Sequence, residues 1–145
     1  MNVNQRNETR NQSTADFSKN KVFLFDNRYS QGILTNNSDP EATWTLKTGQ
    51  IVYRQSDGTL AIDGAAVNIV GVLNIDGDID VLAGDSLSVD YCTKGTVNGL
   101  ELLDIDGNVL DISIISINGL SIKDNLENIG LHVDTSTVQH TKFDN

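Results

Sequence analysis

Residues 85–92 read Asp-Ser-Leu-Ser-Val-Asp-Tyr-Cys, and this stretch decides the fold class. Leu87, Val89 and Tyr91 alternate with polar residues, so one face of the segment is apolar and the other is polar. A period of two is typical of a β-strand that is buried on one face only. The stretch therefore predicts a half-buried strand.

Shorter apolar or alternating runs on both sides predict further strands. They lie at 22–25, 44–46, 50–54, 60–62, 67–73, 100–105, 109–117, 120–122 and 129–133. The alternation slips at Ile114-Ile115, which indicates a bulge or a strand covered on both faces. No long window has a helical period, and short helical turns are predicted only at 38–42, with Pro40 at the first helical position, and at 124–128.

Six turn dipeptides separate these runs at the spacing of short strands in a sandwich or barrel. They are Asp57-Gly58, Asp63-Gly64, Asp76-Gly77, Asn98-Gly99, Asp106-Gly107 and Asn118-Gly119. The chain is thus predicted to be all-β, a small barrel-like domain over residues 21–145.

Composition excludes several classes of function. A chain of 145 residues is long enough for one domain with its own core, and its net charge of −10 argues against binding nucleic acid. One cysteine allows no internal disulfide, and no apolar run is long enough to span a membrane. Residues 1–15 hold no apolar run either, so we expect no secretory signal.

The charge is divided unevenly along the chain. Residues 1–54 hold seven basic and five acidic side chains, a net charge of +2, whereas residues 55–145 hold three basic and fifteen acidic side chains, a net charge of −12. Such an asymmetry either keeps a soluble domain from aggregating or indicates that the two parts face different surroundings. Residues 1–20 are rich in Asn and poor in apolar side chains, which predicts an extended, mobile arm.

Candidate chemical sites are few. Asp76, Asp78 and Asp80 resemble the start of a calcium loop, but the glycine and glutamate that an EF-hand needs at its sixth and twelfth positions are missing. The same holds for the loop that begins at Asp104, so hairpin turns are the favoured interpretation of both. His132, His140 and Cys92 lack partners at a diagnostic spacing. We therefore expect no catalytic residues, no cofactor and no enzyme activity.

The order of motifs over residues 45–97 resembles the head-decoration proteins of tailed bacteriophages, the lambda-type capsid-stabilising family. The segments that carry the resemblance are Thr45–Tyr53, Asp57–Leu60, Asn68–Leu73, Asp80–Asp85, Leu87–Val89 and Thr93–Val97. In chain order, these segments predict a strand next to a glycine, a hairpin, a strand that contains Gly-Val-Leu, a linker of acidic or small residues, and a last strand that ends near a glycine. The Asn-, Ile- and Asp-rich composition also resembles products of AT-rich genomes such as those of the crAss-like phages, whose auxiliary capsid proteins are the more specific match.

The resemblance implies a β-tulip domain on the outer surface of a capsid, usually a trimer, assembled in the host cytoplasm and kept in the virion. Its expected partners are the major capsid protein and further copies of itself, and the arm would add a strand to a capsid sheet edge. The candidate contacts are Arg6, Arg10, Phe17, Lys19 and Lys21. Two departures from the family are the predicted extra strands over 100–135 and the single proline.

Two alternatives remain open at this point. A head-fibre, tail or baseplate subunit would use the extra C-terminal strands as a trimeric stalk or as a dock for another protein. A calcium-assisted carbohydrate-binding β-sandwich would use Asp76, Asp78, Asp80, Asp104 and Asp106.

Overall fold

The computed structural model describes residues 21–63 and 68–136, and strands dominate them, which confirms the all-β prediction. Residues 22–135 form one compact unit. The predicted arm, residues 1–20, lies outside the described residues. The strands are β1 (Phe23–Thr35), β2 (Trp44–Leu46), β3 (Ile51–Arg54), β4 (Leu60–Ala61), β5 (Asn68–Asn74), β6 (Ile79–Val81), β7 (Ser86–Asn98) and β8 (Leu131–Asp134). The helix α1 spans Ile122–Asn128, and a 3-10 turn spans Ile117–Gly119.

Five strands close into a small barrel. Their order is β1-β4-β3-β5-β7, and β1 also pairs with β7 in antiparallel fashion, which joins the two ends of the sheet. The contact between β1 and β4 is parallel and consists of one pair, Leu34 and Leu60. β8 adds to the C-terminal end of β7 in parallel, and β2 pairs with β6 in a separate two-stranded sheet. Closure removes most exposed sheet edges, which is why short strands suffice.

The barrel wall is apolar on both faces because two cores lie against it. The first core is built around Leu34, Val52, Leu73, Val89 and Tyr91, together with Trp44 of β2 and Val81 of β6. The second core lies on the opposite face of β3, β5 and β7 and includes α1 and β8; its members are Ile51, Tyr53, Ile69, Val72, Cys92, Val97, Leu102, Ile122, Leu126, Leu131 and Val133. This arrangement explains why 69–73 reads as a continuous apolar run, since a strand covered on both faces has no polar face.

Glycine is required where two strands approach each other closely. A Cβ on Gly71 of β5 would lie 2.2 Å from the backbone oxygen of Cys92 in β7, and one on Gly95 would lie 2.6 Å from the oxygen of Phe25 in β1. Gly95 also has φ +109°, a region that side chains disfavour. Gly71 thus permits a close approach of β5 to β7 that a side chain would prevent.

The predicted strands 100–105, 109–117 and 120–122 are wrong. This region contains isolated bridges, tight turns and the 3-10 turn. Asp104 Oδ1 accepts the backbone N–H groups of Asp106 and Asn108, and Asp111 Oδ1 accepts that of Ser113. Such local bonds compete with strand ladders, and here they outweigh the β-propensity of the isoleucines. The last predicted strand, 129–133, is confirmed as β8.

The two helical predictions have opposite outcomes. Residues 124–128 lie in α1, where Ser121 is the N-cap and accepts the N–H of Asp124. Residues 38–42 form no helix: Ser38 Oγ accepts the N–H of Ala42 across an irregular loop with a cis peptide bond before Pro40. Within the described residues, no helix is long and apolar enough to cross a bilayer.

Candidate interaction surfaces

Four of the predicted capsid contacts, Arg6, Arg10, Phe17 and Lys19, lie outside the described residues. Lys21 begins the described part of the chain and is exposed. Lys21 alone of the five can therefore be placed, and the role of all five stays a prediction.

The calcium candidates lie at the turn between β5 and β6 and on β6 itself. These two strands pair with other strands and not with each other, so the turn is not the predicted hairpin, although Gly77 has a positive φ of +79°. The carboxylate of Asp78 forms an ion pair with Lys47, and Asp80 accepts the hydroxyl of Thr45 at 2.8 Å. Over residues 21–63 and 68–136, no three His, Cys, Asp or Glu side chains are grouped so that they could hold a metal ion.

The remaining candidates for chemistry have structural partners. Cys92 is fully buried, where Asn27 donates to its sulfur at 3.4 Å, and the thiol donates to the carbonyl of Lys94 at 3.1 Å. Burial raises the pKa of the thiol above its ordinary value of 9.0, which makes it a poor nucleophile. His132 is exposed, 3.7 Å from the carboxylate of Glu127, and His140 lies outside the described residues.

One outer face of β1 presents exposed side chains. Tyr29 is 46% exposed and Ile33 is 51% exposed, and both point away from the core that buries Leu34. One edge of β1 pairs with β7 along its length. Within the described residues, the other edge pairs at Leu34 alone, with Leu60 of β4. The stretch from Arg28 to Ile33 is therefore an open strand edge, the kind of edge on which an extended segment can add a strand.

A second exposed surface comes from the irregular segment between β7 and α1. We call it the loop surface, and its members are Ile105, Val109, Ile114 and Ile115. Val109 is 68% exposed and Ile115 is 64% exposed. Sequence reasoning placed these side chains in two strands, 100–105 and 109–117, and explained the second by a bulge or by cover on both faces, so this surface was missed. Large exposed apolar side chains of this kind can contribute to interaction sites.

A cavity of about 170 Å³ adjoins the loop surface. Its apolar lining is Ile51, Tyr53, Ile62, Leu103, Ile105 and Leu110, and Asp63 and Asp104 also contribute to it. Tyr53 is 7% exposed. Burial raises the pKa of its phenol above 10.0, a hydrogen bond with Ser116 opposes the rise, and the negative charge of Asp63 adds to it. Tyr53 and Asp63 thus line the same cavity.

No family model, no curated protein and no solved structure matches this chain.

Proposed function

We propose that this chain is a structural virion protein that binds the outer surface of a phage capsid and stabilises the head. Its partner is the major capsid protein, and on the capsid it associates with further copies of itself, as a trimer. The observation that carries the proposal is the exposure of large apolar side chains on two surfaces, β1 and the loop surface, of a strongly acidic domain. Surfaces of this kind support adhesion between proteins.

The choice of a capsid as the partner is supported by the motif order over residues 45–97. Of the five strands of the barrel wall, this block contains β3, β4, β5 and most of β7, so the resemblance to decoration proteins is not limited to one hairpin. The open edge of β1 is a further support, because strand addition is a common way to attach a protein to a lattice. Repeated contacts on a lattice then reinforce one another through effective concentration.

The division of charge supports an orientation. Residues 1–21, which lie before β1 and carry a net charge of +2, would face the shell, and the acidic surface of the remaining residues, with a net charge of −12, would face solvent. Like charges on the outward faces of neighbouring copies oppose aggregation.

A head-fibre, tail or baseplate subunit is the second candidate, and the loop surface favours it. Val109, Ile114 and Ile115 lie in irregular backbone, which could dock another virion protein in place of the predicted stalk. Copy number separates the two functions: a decoration protein is present in hundreds of copies per head, and a fibre or tail subunit in a few dozen or fewer.

The experiment uses empty, expanded shells assembled from the major capsid protein of the same genome. The full chain and a variant lacking residues 2–20 are sedimented with the shells, and the copies bound per shell are counted by cryo-microscopy. We expect the full chain to saturate the shells and the shortened chain to stay folded but unbound. Equal binding of both would refute the role of the arm, and absence of binding by the full chain would refute the function.

A further inference from the structure

The cavity beside the loop surface combines features that select one kind of side chain. Its volume of about 170 Å³ is smaller than the roughly 300–1,000 Å³ of sites for drug-sized ligands, so it suits one side chain rather than a sugar or nucleotide. Most of its lining is apolar, from Ile51 and Tyr53 of β3 to Leu110. An aliphatic stem therefore fits its interior.

Its charge is of one sign. Asp63 and Asp104 are the charged groups among the described residues of the lining, and no lysine or arginine lies among them. Lys47, whose stem passes close to Gly107 in the same loop, forms an ion pair with Asp78 and does not line the cavity. The cavity is thus an apolar slot with an excess of negative charge.

We propose that this cavity binds an arginine side chain presented by a basic, partly apolar surface of a partner protein. The stem of arginine would lie against Ile51 and Leu110, as long basic side chains do on apolar surfaces. The guanidinium would meet Asp63 and Asp104 and could lie over the ring of Tyr53. Arginine suits the site better than lysine because its planar head group is less strongly hydrated, pairs with carboxylates at two atoms and stacks on aromatic rings.

Charge complementarity also argues against a two-fold contact in which this face meets the same face of a second copy. A two-fold contact places the same patch on both sides of the interface. Such a contact would bring Asp63, Asp104 and the neighbouring Asp106 of one copy against those of the other, and like charges at an interface are costly. Residues 95–122 contain no lysine or arginine, and Lys47, which lies beside Gly107, is already paired with Asp78.

The test uses three short peptides and the full chain, without capsid shells, so that its failure is distinguishable from failure of the proposed function. The probes are acetyl-Leu-Arg-Leu-amide and the matched peptides with Lys or Gln in the middle. Amide chemical shifts are followed by NMR during titration to millimolar peptide. We expect the Arg peptide to shift the amides of 51–53, 62–63 and 103–110, the Lys peptide to bind more weakly, and the Gln peptide to leave them unchanged.

Variants of nearly the same shape show whether the peptide binds at the cavity or is attracted only by the overall negative charge of the protein. Asp63→Asn with Asp104→Asn is expected to weaken binding of the Arg peptide roughly tenfold, the loss expected for a charge-assisted hydrogen bond. Asn at 104 keeps an oxygen for the N–H groups of Asp106 and Asn108, so the loop should stay folded. Asp106→Asn, which removes one exposed charge outside the cavity, is the matched control and should change little.

Three results would overturn the assignment. They are equal binding of the Gln peptide, shifts that map elsewhere on the barrel, and equal loss of affinity in Asp106→Asn. Self-association of the full chain that Asp63→Asn abolishes, measured by sedimentation velocity, would show that the occupant is a second copy and would overturn the assignment to a separate partner.

Discussion

Replacing Gly71 with alanine should destabilise the barrel far more than the same change at Gly32. The added Cβ at Gly71 would lie 2.2 Å from the backbone oxygen of Cys92, more than 1 Å inside ordinary contact distance. That oxygen cannot move freely, because β7 is paired with β5 on one side and with β1 on the other. At Gly32 the nearest atom is Cδ1 of Leu60 at 2.8 Å, the end of a side chain that can rotate.

The expected size of the effect follows from these contacts. Overpacking costs about 1–3 kcal/mol, and Gly71→Ala should reach the upper end because a backbone atom must shift. Gly32→Ala should cost less than about 1 kcal/mol. Both changes reduce the entropy of the unfolded chain to a similar degree. The difference of about 2 kcal/mol between the two variants in free energy of unfolding therefore measures the cost of the clash with the Cys92 oxygen.

The assay is equilibrium unfolding in urea, followed by the fluorescence of Trp44. This is the single tryptophan of the chain, and it is 3% exposed in the first core. With a slope of about 2 kcal/mol per molar urea, the two midpoints should differ by about 1 M. Equal midpoints, or a more stable Gly71→Ala variant, would refute the close approach of β5 and β7.

Three further predictions concern single side chains. Asn36 is fully buried, and its amide donates to two backbone carbonyls. Asn36→Ala should therefore lower the free energy of unfolding, measured by urea titration, by about 3 kcal/mol. A loss below about 1 kcal/mol would contradict this prediction. Burial holds the pKa of the Cys92 thiol in the folded protein above its value in the unfolded chain. The part of the free energy of unfolding that depends on this thiol should therefore be constant below pH 9.0 and should fall as the pH rises above 9.0. Cys92→Val should reduce this fall, and an identical pH profile of the variant would show that the thiol does not cause it. Hydrogen bonds from Thr59 hold the pKa of Asp57 below 3.8, so Thr59→Val should raise it in a carbon-13 NMR titration, and an unchanged pKa would assign the effect to other donors.

The sequence predicts structure well where the deciding interactions are local. Alternation at Leu87, Val89 and Tyr91 identified β7, and Asp57-Gly58 identified the hairpin between β3 and β4. The prediction for β1 ended at Phe25, because the next ten residues include Asp, Asn, Ser, Gln and Gly, which favour turns. Pairing with β7, more than fifty residues away, holds them extended and overrides those local preferences.

The candidate site could not be predicted for a related reason. The walls of the cavity come from β3, from Ile62 and Asp63, and from residues 103–110, and they meet only after the barrel has closed. A parallel bridge between Gln50 and Leu103 brings these segments together. The exposed isoleucines of the loop surface were assigned to a strand because propensity was weighed without the local hydrogen bonds of Asp104 and Asp111.

The pairing of β1 with β7 can form only late in the synthesis of the chain. Thr35 and its partner Ser86 are 51 residues apart, and Phe23 pairs with Val97, farther still. At a translation rate of about 5–20 residues per second, residues of β1 emerge from the ribosome roughly 3–15 s before their partners on β7. During that interval Phe23, Leu24 and Phe25 lack their native neighbours on β7. The nascent chain would then depend on chaperones, or on transient contacts with the ribosome, to keep these side chains from aggregating until the barrel can close.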